Sequence, residues 1–244
     1  MDEVRVIEVK RGVLDANDAD ANQLRRDLRL RGTFLLNVMS SPGSGKTTML
    51  LRTIEALRDT LDIAVMEADI DSDVDTRAIL AAGVPAIQLH TGGMCHLDAS
   101  MTRQGLDDLR MHILEGSVLP GADANAPDGD ASDEPELVFL ENVGNLVCPA
   151  EFDTGASANA MILSVPEGDD KPLKYPLMFQ VSDVVLVNKV DVLPYFDFDL
   201  DRFAASVHER NPRAEVIPIC AKTGEGMDAW YDWLVRHVQE WRRQ

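Results

Sequence analysis

The chain has 244 residues, 45% of them hydrophobic, enough for one sizeable core or for a core with a small appendage. Its 42 acidic and 23 basic residues give a formal net charge of −19, a field that repels nucleic acid and anionic lipid and argues against both as partners. No run approaches the roughly 20 apolar residues that a membrane helix needs, and the N-terminal MDEVRVIEVKRG lacks the apolar stretch of a secretory signal. The expected location is therefore the cytoplasm. There the three cysteines, Cys95, Cys148 and Cys220, are expected as free thiols, because an odd, small number does not make a disulfide framework.

Residues 1–32 are charged and polar, with an amphipathic helix expected over about 17–30, and read as an N-terminal helical extension. Residues 33–244 change character: short apolar runs at 34–39, 63–68, 85–89, 136–140, 161–165, 184–188 and 215–219 alternate with helical stretches. That alternation predicts an α/β domain with a mostly parallel, roughly seven-stranded sheet flanked by helices. The segment 120–136, PGADANAPDGDASDEPE, interrupts it with Asp, Ala, Pro and Gly and no basic residue, and reads as a solvated acidic loop.

The first run leads into SSPGSGKTT (40–48), followed by a helical stretch. This is the strand–loop–helix setting of a phosphate-binding loop. Gly43 and Gly45 free backbone N–H groups to curl around phosphate oxygens, with Ser44 between them. Lys46 reaches the terminal phosphates, Thr47 is placed to ligate magnesium, and Thr48 follows in the first turn. Ser40 stands where the strict motif has glycine.

Hydrolysis needs a magnesium site and a positioned water. After the second run comes EADIDSDVD (67–75), where Asp69 and Asp75 are candidates to hold magnesium or orient water, while Asp71 and Asp73 read as solvated. Glu141 ends the fourth run as a Walker-B-like acid. Such acids at the carboxyl ends of strands sit beside the phosphate loop in this architecture.

GGMCHLD (92–98) sets Cys95 beside His96, and Cys148 follows in GNLVCPA (144–150). Two thiolates and an imidazole suit zinc or nickel and leave a coordination position open, whereas buried cysteines with a structural histidine are the plainer alternative.

NKVD (188–191) follows the sixth run. The Asp191 carboxylate can accept from guanine's N1–H and exocyclic amine, groups that adenine does not present there, with Asn188 and Lys189 bracing the pocket. CAKTGEG (220–226), after the last run, is the loop expected to close over the base through Ala221 and Lys222, and Cys220 is read as a packing residue. Trp230, Trp233 and Leu234 fall on one face of a C-terminal helix and read as core. His90, His112, His208 and His237 have no partner at ligand spacing. In DKPLKYP (170–176), Lys174 reads as either structural or phosphate-reaching.

Taken together, SSPGSGKTT, TGGMCHLDA, ENVGNLVCPAEFD, SVPEGDDKPLKYP and NKVDVLPYFDFD resemble the hydrogenase nickel-incorporation GTPase family, HypB, from residue 33 to the C-terminus. The resemblance implies a dimerising P-loop GTPase with a nickel or zinc site at the subunit interface, made by Cys95, His96 and Cys148. It also implies delivery of nickel to the large-subunit precursor of [NiFe]-hydrogenase, together with a small zinc- and nickel-binding partner. Glu141 to Gly144 resemble the switch that senses the γ-phosphate, so nucleotide state is expected to move Cys148. The chain departs from the family pattern at Ala68, Ser72 and Ala78 and at Thr154-Gly155-Ala156, and its first residues carry no nickel-storing Cys or His tract. Two alternatives stand beside this reading. One is a metal-independent GTPase switch with structural cysteines. The other is a metal carrier whose nucleotide only controls dimerisation. A urease nickel GTPase fits the quoted strings less well.

Overall fold

A computed structural model describes residues 9–69, 74–115 and 134–243, with side chains from residue 14 and without those of 69, 74 and 75. The first described element is α1 (Val9–Arg31), longer than the expected 17–30. Seven strands follow: β1 (Phe34–Ser40), β2 (Ile63–Asp69), β3 (Ala86–His90), β4 (Leu137–Glu141), β5 (Ala158–Ser164), β6 (Val184–Asn188) and β7 (Glu215–Pro218). Between and after them lie α2 (Lys46–Leu57), α3 (Val74–Ala81), α4 (Ala99–Leu114), α5 (Cys148–Glu151), α6 (Lys171–Lys174), α7 (Pro176–Gln180), α8 (Leu200–Arg210) and α9 (Met227–Arg243).

The strands form one sheet in the order β3-β2-β4-β1-β5-β6-β7, and every neighbouring pair is parallel, so the expected "mostly parallel" sheet is wholly so. Parallel strands need helical crossovers, and helices on both faces explain why β1, β4 and β6 are buried at every position. The two-residue period of a strand divides their side chains between two cores. Ala158, Ala160 and Ile162 of β5 join a core with α1, α2, α4 and α9, while Met161 and Leu163 join one with Phe179 of α7 and Phe203 of α8. Trp230, Trp233 and Leu234 are buried in the first of these, as their spacing predicts. Fully burying one large apolar side chain contributes about 1.5–3 kcal/mol, so the two cores dominate the stability.

β5 starts three residues before its apolar run because its polar members are satisfied. Asn37 Nδ2 of β1 donates to Asn159 Oδ1 at 2.9 Å, Asn142 Nδ2 donates to Asn37 Oδ1 at 3.0 Å, and Asn159 Nδ2 donates to the Val181 carbonyl at 3.1 Å. A chain of carboxamides thus crosses the sheet from the end of β4 to β5 without leaving a buried amide unpaired. The topology brings the carboxyl ends of β1, β4, β5, β6 and β7 to one edge, where ligands bind in open α/β sheets. Of the acidic segment 120–136, residues 120–133 lie outside the described residues, and Glu134 and Glu136 pair with Arg110 and Arg242.

Candidate nucleotide and thiol sites

The loop after β1 has the shape its glycines predict. Gly43 and Gly45 have φ of 76° and 99°, a left-handed backbone that glycine adopts without strain. Gly45 is fixed by a second constraint: a Cβ there would lie 2.4 Å from Asn188 Nδ2. The helix α2 begins at Lys46, so its first N–H groups face the loop and add their partial positive charge. Lys46 Nζ donates to Ser40 Oγ at 2.7 Å and lies 3.7 Å from Glu141 Oε1. Ser40, out of place in the strict motif, thus holds the lysine over the loop. The Ser44 hydroxyl is buried without a hydrogen-bond partner, an orphaned donor inside a loop of phosphate-binding geometry.

Glu141 is buried at the end of β4, in register with the buried Glu67 of β2, which accepts from Thr76. Glu141 lines one cleft with Thr47, and a carboxylate beside a hydroxyl is a pair of hard oxygen donors that fits magnesium. Glu67 was not expected from the sequence, where it looks like one apolar-run residue among several acids. The Asp69 and Asp75 side chains lie outside the described residues. Immediately after Glu141, Gly144 touches the P-loop: a Cβ on it would meet Pro42 Cγ at 3.3 Å and Pro42 N at 3.4 Å.

At the base end, Asn188 is the joint. Its Nδ2 donates to the Ser44 carbonyl at 2.8 Å, while its Oδ1 accepts from Lys189 N at 2.8 Å and from Ala221 N at 3.0 Å. Lys189 Nζ donates to the Gly43 carbonyl at 2.8 Å, and its backbone is left-handed at φ 63°. Three separate loops are therefore tied together by one carboxamide and one ammonium. Asp191, in the 3-10 turn Val190–Tyr195, accepts from Cys220 Sγ at 3.2 Å. The cysteine read as packing therefore also orients the carboxylate. Gly45, Thr48, Asn188, Asp191, Cys220 and Lys222 line one cleft, which adjoins a second lined by Lys46, Thr47 and Glu141.

Cys95 and Cys148 converge from different strands. Cys95 lies in the turn after β3, Cys148 opens α5, and their sulfurs are 2.7 Å apart, beyond the ~2.05 Å of a disulfide. His96 Nδ1 is 4.0 Å from Cys95 Sγ, and the ring stacks on Phe152 at 3.8 Å with an interplanar angle of 13°. Burial lowers the His96 pKa against the opposing pull of Asp98 and Glu151, which favours neutral imidazole. The hydrogen bond with Cys95 raises the Cys148 pKa, burial adds to it, and the charge of the neighbouring thiolate adds less. Among the described residues, no three His, Cys, Asp or Glu side chains converge as a ready ligand group. The structure thus joins the two thiols and places the imidazole beside them, turned onto Phe152. Met94 and Val147, about half exposed, flank the pair.

Other expected or unforeseen residues are also placed. Lys174 pairs with Asp170 at 2.5 Å, four residues back on the same turn. His208 Nε2 lies 3.1 Å from the Ala214 carbonyl and His237 Nδ1 2.7 Å from that of Trp233, both structural positions. Glu167 was missed: it accepts from Ser164 N and Oγ at 2.8 Å and from Ser41 in the P-loop, and the Ser164-Val-Pro-Glu167 capping-box pattern was its available signal. No described helix is long and apolar enough to cross a membrane.

Comparison with known proteins bears on this geometry. A family model described as "CobW/HypB/UreG, nucleotide-binding domain" matches residues 34–218. The hydrogenase maturation factor HypB of Rhizobium leguminosarum is 44% identical over 234 residues, covering 96% of this chain and 71% of that protein. The crystal structure of HypB from Helicobacter pylori in complex with nickel superposes with a TM-score of 0.79 at 35% identity, covering 92% of this chain and 96% of that one. HypB from Archaeoglobus fulgidus superposes with a TM-score of 0.78 at 33% identity, over 92% of this chain and 100% of that one.

Proposed function

The chain belongs to the HypB family of nucleotide-binding domains, and from that premise we propose that it is a GTP-hydrolysing metallochaperone that delivers nickel during [NiFe]-hydrogenase maturation. The cargo, nickel or zinc, is held by Cys95, Cys148 and His96. GTP is bound by Gly43 to Thr48 at the phosphates and by Asn188, Lys189, Asp191, Ala221 and Lys222 at the base.

One observation carries the reading: a single short segment joins both ends of the chemistry. Residues 141–148 run from Glu141, 3.7 Å from Lys46, through Gly144 against Pro42, to Cys148 against Cys95. A γ-phosphate that draws Gly144 closer to the P-loop would pull on Cys148 seven residues beyond Glu141. Cation affinity would then follow nucleotide state, and by linkage the reverse. The nickel complex of the H. pylori relative supports the cargo.

In the hydrolytic half of this reading, Lys46 neutralises the terminal phosphates and the P-loop amides cradle them. Thr47 and Glu141, with Asp69 and Asp75 as further candidates, would hold magnesium, which would supply positive charge to neutralise the phosphates. The Asp191 carboxylate selects guanine. The exposed Met94 and Val147 beside the thiols support a second copy of the chain as partner, with a small zinc- and nickel-binding maturation protein and the hydrogenase large-subunit precursor downstream. One observation favours the rival switch without metal: His96 faces Phe152 and no complete ligand group converges among the described residues.

Nickel and zinc stoichiometry separates the two readings. In the presence of a non-hydrolysable GTP analogue and of GDP, the wild type is expected to hold metal with different affinities. Cys95→Ala and Cys148→Ala are each expected to lose about 10-fold or more, since each removes a ligand. Equal affinities in both nucleotide states would remove the coupling. Metal binding indifferent to both substitutions would leave a GTPase switch.

A further inference from the structure

Neither thiol-bearing loop is braced by the sheet edge alone; both are tied to α1. The Asn17 side chain is buried, 8% exposed, and bridges the two loops. Its Oδ1 accepts from Ala99 N at 3.0 Å, four residues after Cys95, and its Nδ2 donates to the Asp153 carbonyl at 2.9 Å, five residues after Cys148. Two turns along the same helix, Arg25 repeats the grip on the second loop. Its Nη2 forks onto Asp153 Oδ1 and Oδ2 at 2.7 and 2.9 Å, and its Nε donates to the Ala156 carbonyl at 2.8 Å. Gly155, at φ 77°, fits directly under α1, because a Cβ there would meet Leu24 Cδ2 at 2.8 Å and the Ala21 carbonyl at 3.1 Å. Asp153 Oδ1 also accepts from Gly155 N at 2.8 Å, closing the turn that α1 holds. The helix is anchored on the other side by Asp27, which accepts from Arg103 of α4 at 2.9 Å.

We infer that Asn17 and Arg25 are positioning residues for the thiol pair: they fix the Cys148 loop against the Cys95 loop and so set the cation affinity, without touching cation or nucleotide. This rests on the reading of Cys95 and Cys148 as cation ligands. The chemistry requires such a strut. Cys95 follows β3 and Cys148 follows β4, and these strands are not neighbours, since β2 lies between them. No sheet ladder therefore sets the sulfur spacing directly. A carboxamide that donates to one loop and accepts from the other does so, because both its bonds are directional and buried. The Arg25 guanidinium holds orientation as well as distance, because its Nη2 and Nε grip two separate acceptors of the loop, the Asp153 carboxylate and the Ala156 carbonyl.

The test uses the full chain with three variants. Asn17→Asp keeps the volume and the acceptor for Ala99 N but loses the donor to Asp153. Arg25→Gln removes the fork at a partly exposed position. Cys148→Ala is the reference loss. Three readouts are taken: nickel affinity from the thiolate-to-nickel charge-transfer band, GDP affinity as the measure of an intact nucleotide site, and disulfide formation between Cys95 and Cys148 in metal-free protein. In that last reaction added diamide takes up the two electrons and two protons as the sulfur–sulfur bond forms. Asn17→Asp and Arg25→Gln are expected to weaken nickel about 10-fold, in the range of lost outer-shell contacts. They should slow disulfide formation by a similar factor and leave GDP affinity within about twofold. Wild-type nickel affinity and wild-type disulfide rate in both variants would overturn the inference and leave α1 a packing element. If Cys148→Ala keeps nickel, the ligand reading fails on its own, and the metal-free disulfide rate still decides whether α1 sets the spacing. Should Asn17→Asp lose GDP binding through misfolding, Arg25→Gln alone carries the decision.

Discussion

The nucleotide end and the thiol end of this molecule are built on opposite principles. At the nucleotide end the loops brace one another. Asn188 ties the P-loop to the 220–226 loop, and Lys189 adds a second tie to Gly43. At the thiol end the loops meet through the two sulfurs and the stacking of His96 on Phe152, but the hydrogen bonds that bridge them run from outside, through α1. A self-braced site keeps its geometry when a distant contact is lost. An externally held site can be loosened or tightened from afar, which suits a cargo that must be released. The difference predicts that equal lesions have unequal reach at the two ends.

The largest effect is expected from Asn188→Ala. It deletes three hydrogen bonds, two of them buried, and strands the Ser44 carbonyl and the Lys189 and Ala221 amides, at a cost of about 1–3 kcal/mol for each buried group left unpaired. GTP affinity should fall about 100-fold and thermal unfolding should move down by several degrees, as calorimetry would show. Measured without nucleotide, so that the 141–148 segment transmits nothing, nickel affinity of the folded fraction should stay within about threefold.

A smaller effect separates the ends from the other side. Phe152→Ala removes the ring on which His96 rests and frees the imidazole to rotate. Nickel affinity should change about 3- to 10-fold, as for other contacts that orient a ligand, with GTP binding unaltered. An equal loss of GTP affinity would break the comparison, because it would show the two ends sharing one frame.

The smallest effect is Cys220→Ser. A hydroxyl is a stronger donor than a thiol, so the bond to Asp191 should strengthen and GDP affinity should improve about two- to fivefold, in line with ~0.5–1 kcal/mol for one hydrogen bond. Isothermal titration would resolve it. Unchanged affinity would mean that Asp191 is held by its own turn.

Much of this was legible in the sequence, for a physical reason. Strands covered on both faces are mostly apolar, so the runs of β1, β4 and β6 announced themselves, and the shorter runs of the partly exposed β3 and β7 also fell within a few residues of their ends. Loop motifs are local, so spacing alone singled out Gly43, Lys46, Asn188 and Asp191, and the structure brings their loops together around adjoining clefts. What escaped were pairings between polar residues far apart in the chain. Asn37 with Asn159 sits inside strands that propensity would keep apolar, and the start of β5 was misjudged because of it. Asn17 and Arg25 look like ordinary members of a charged helix until Asp153, more than a hundred residues away, is folded against them. Glu67 gains its meaning only from the register that sets it beside Glu141.

The separation of Cys95 and Cys148 by 53 positions has a consequence for stability. A cation shared by their sulfurs, as proposed, would be a removable cross-link. It closes a chain loop that, for a covalent link of that size, is worth on the order of 4 kcal/mol in restricted unfolded-state entropy. On that reading, loading the cargo would stiffen the carrier against unfolding, and handing it on would return the chain to its looser form.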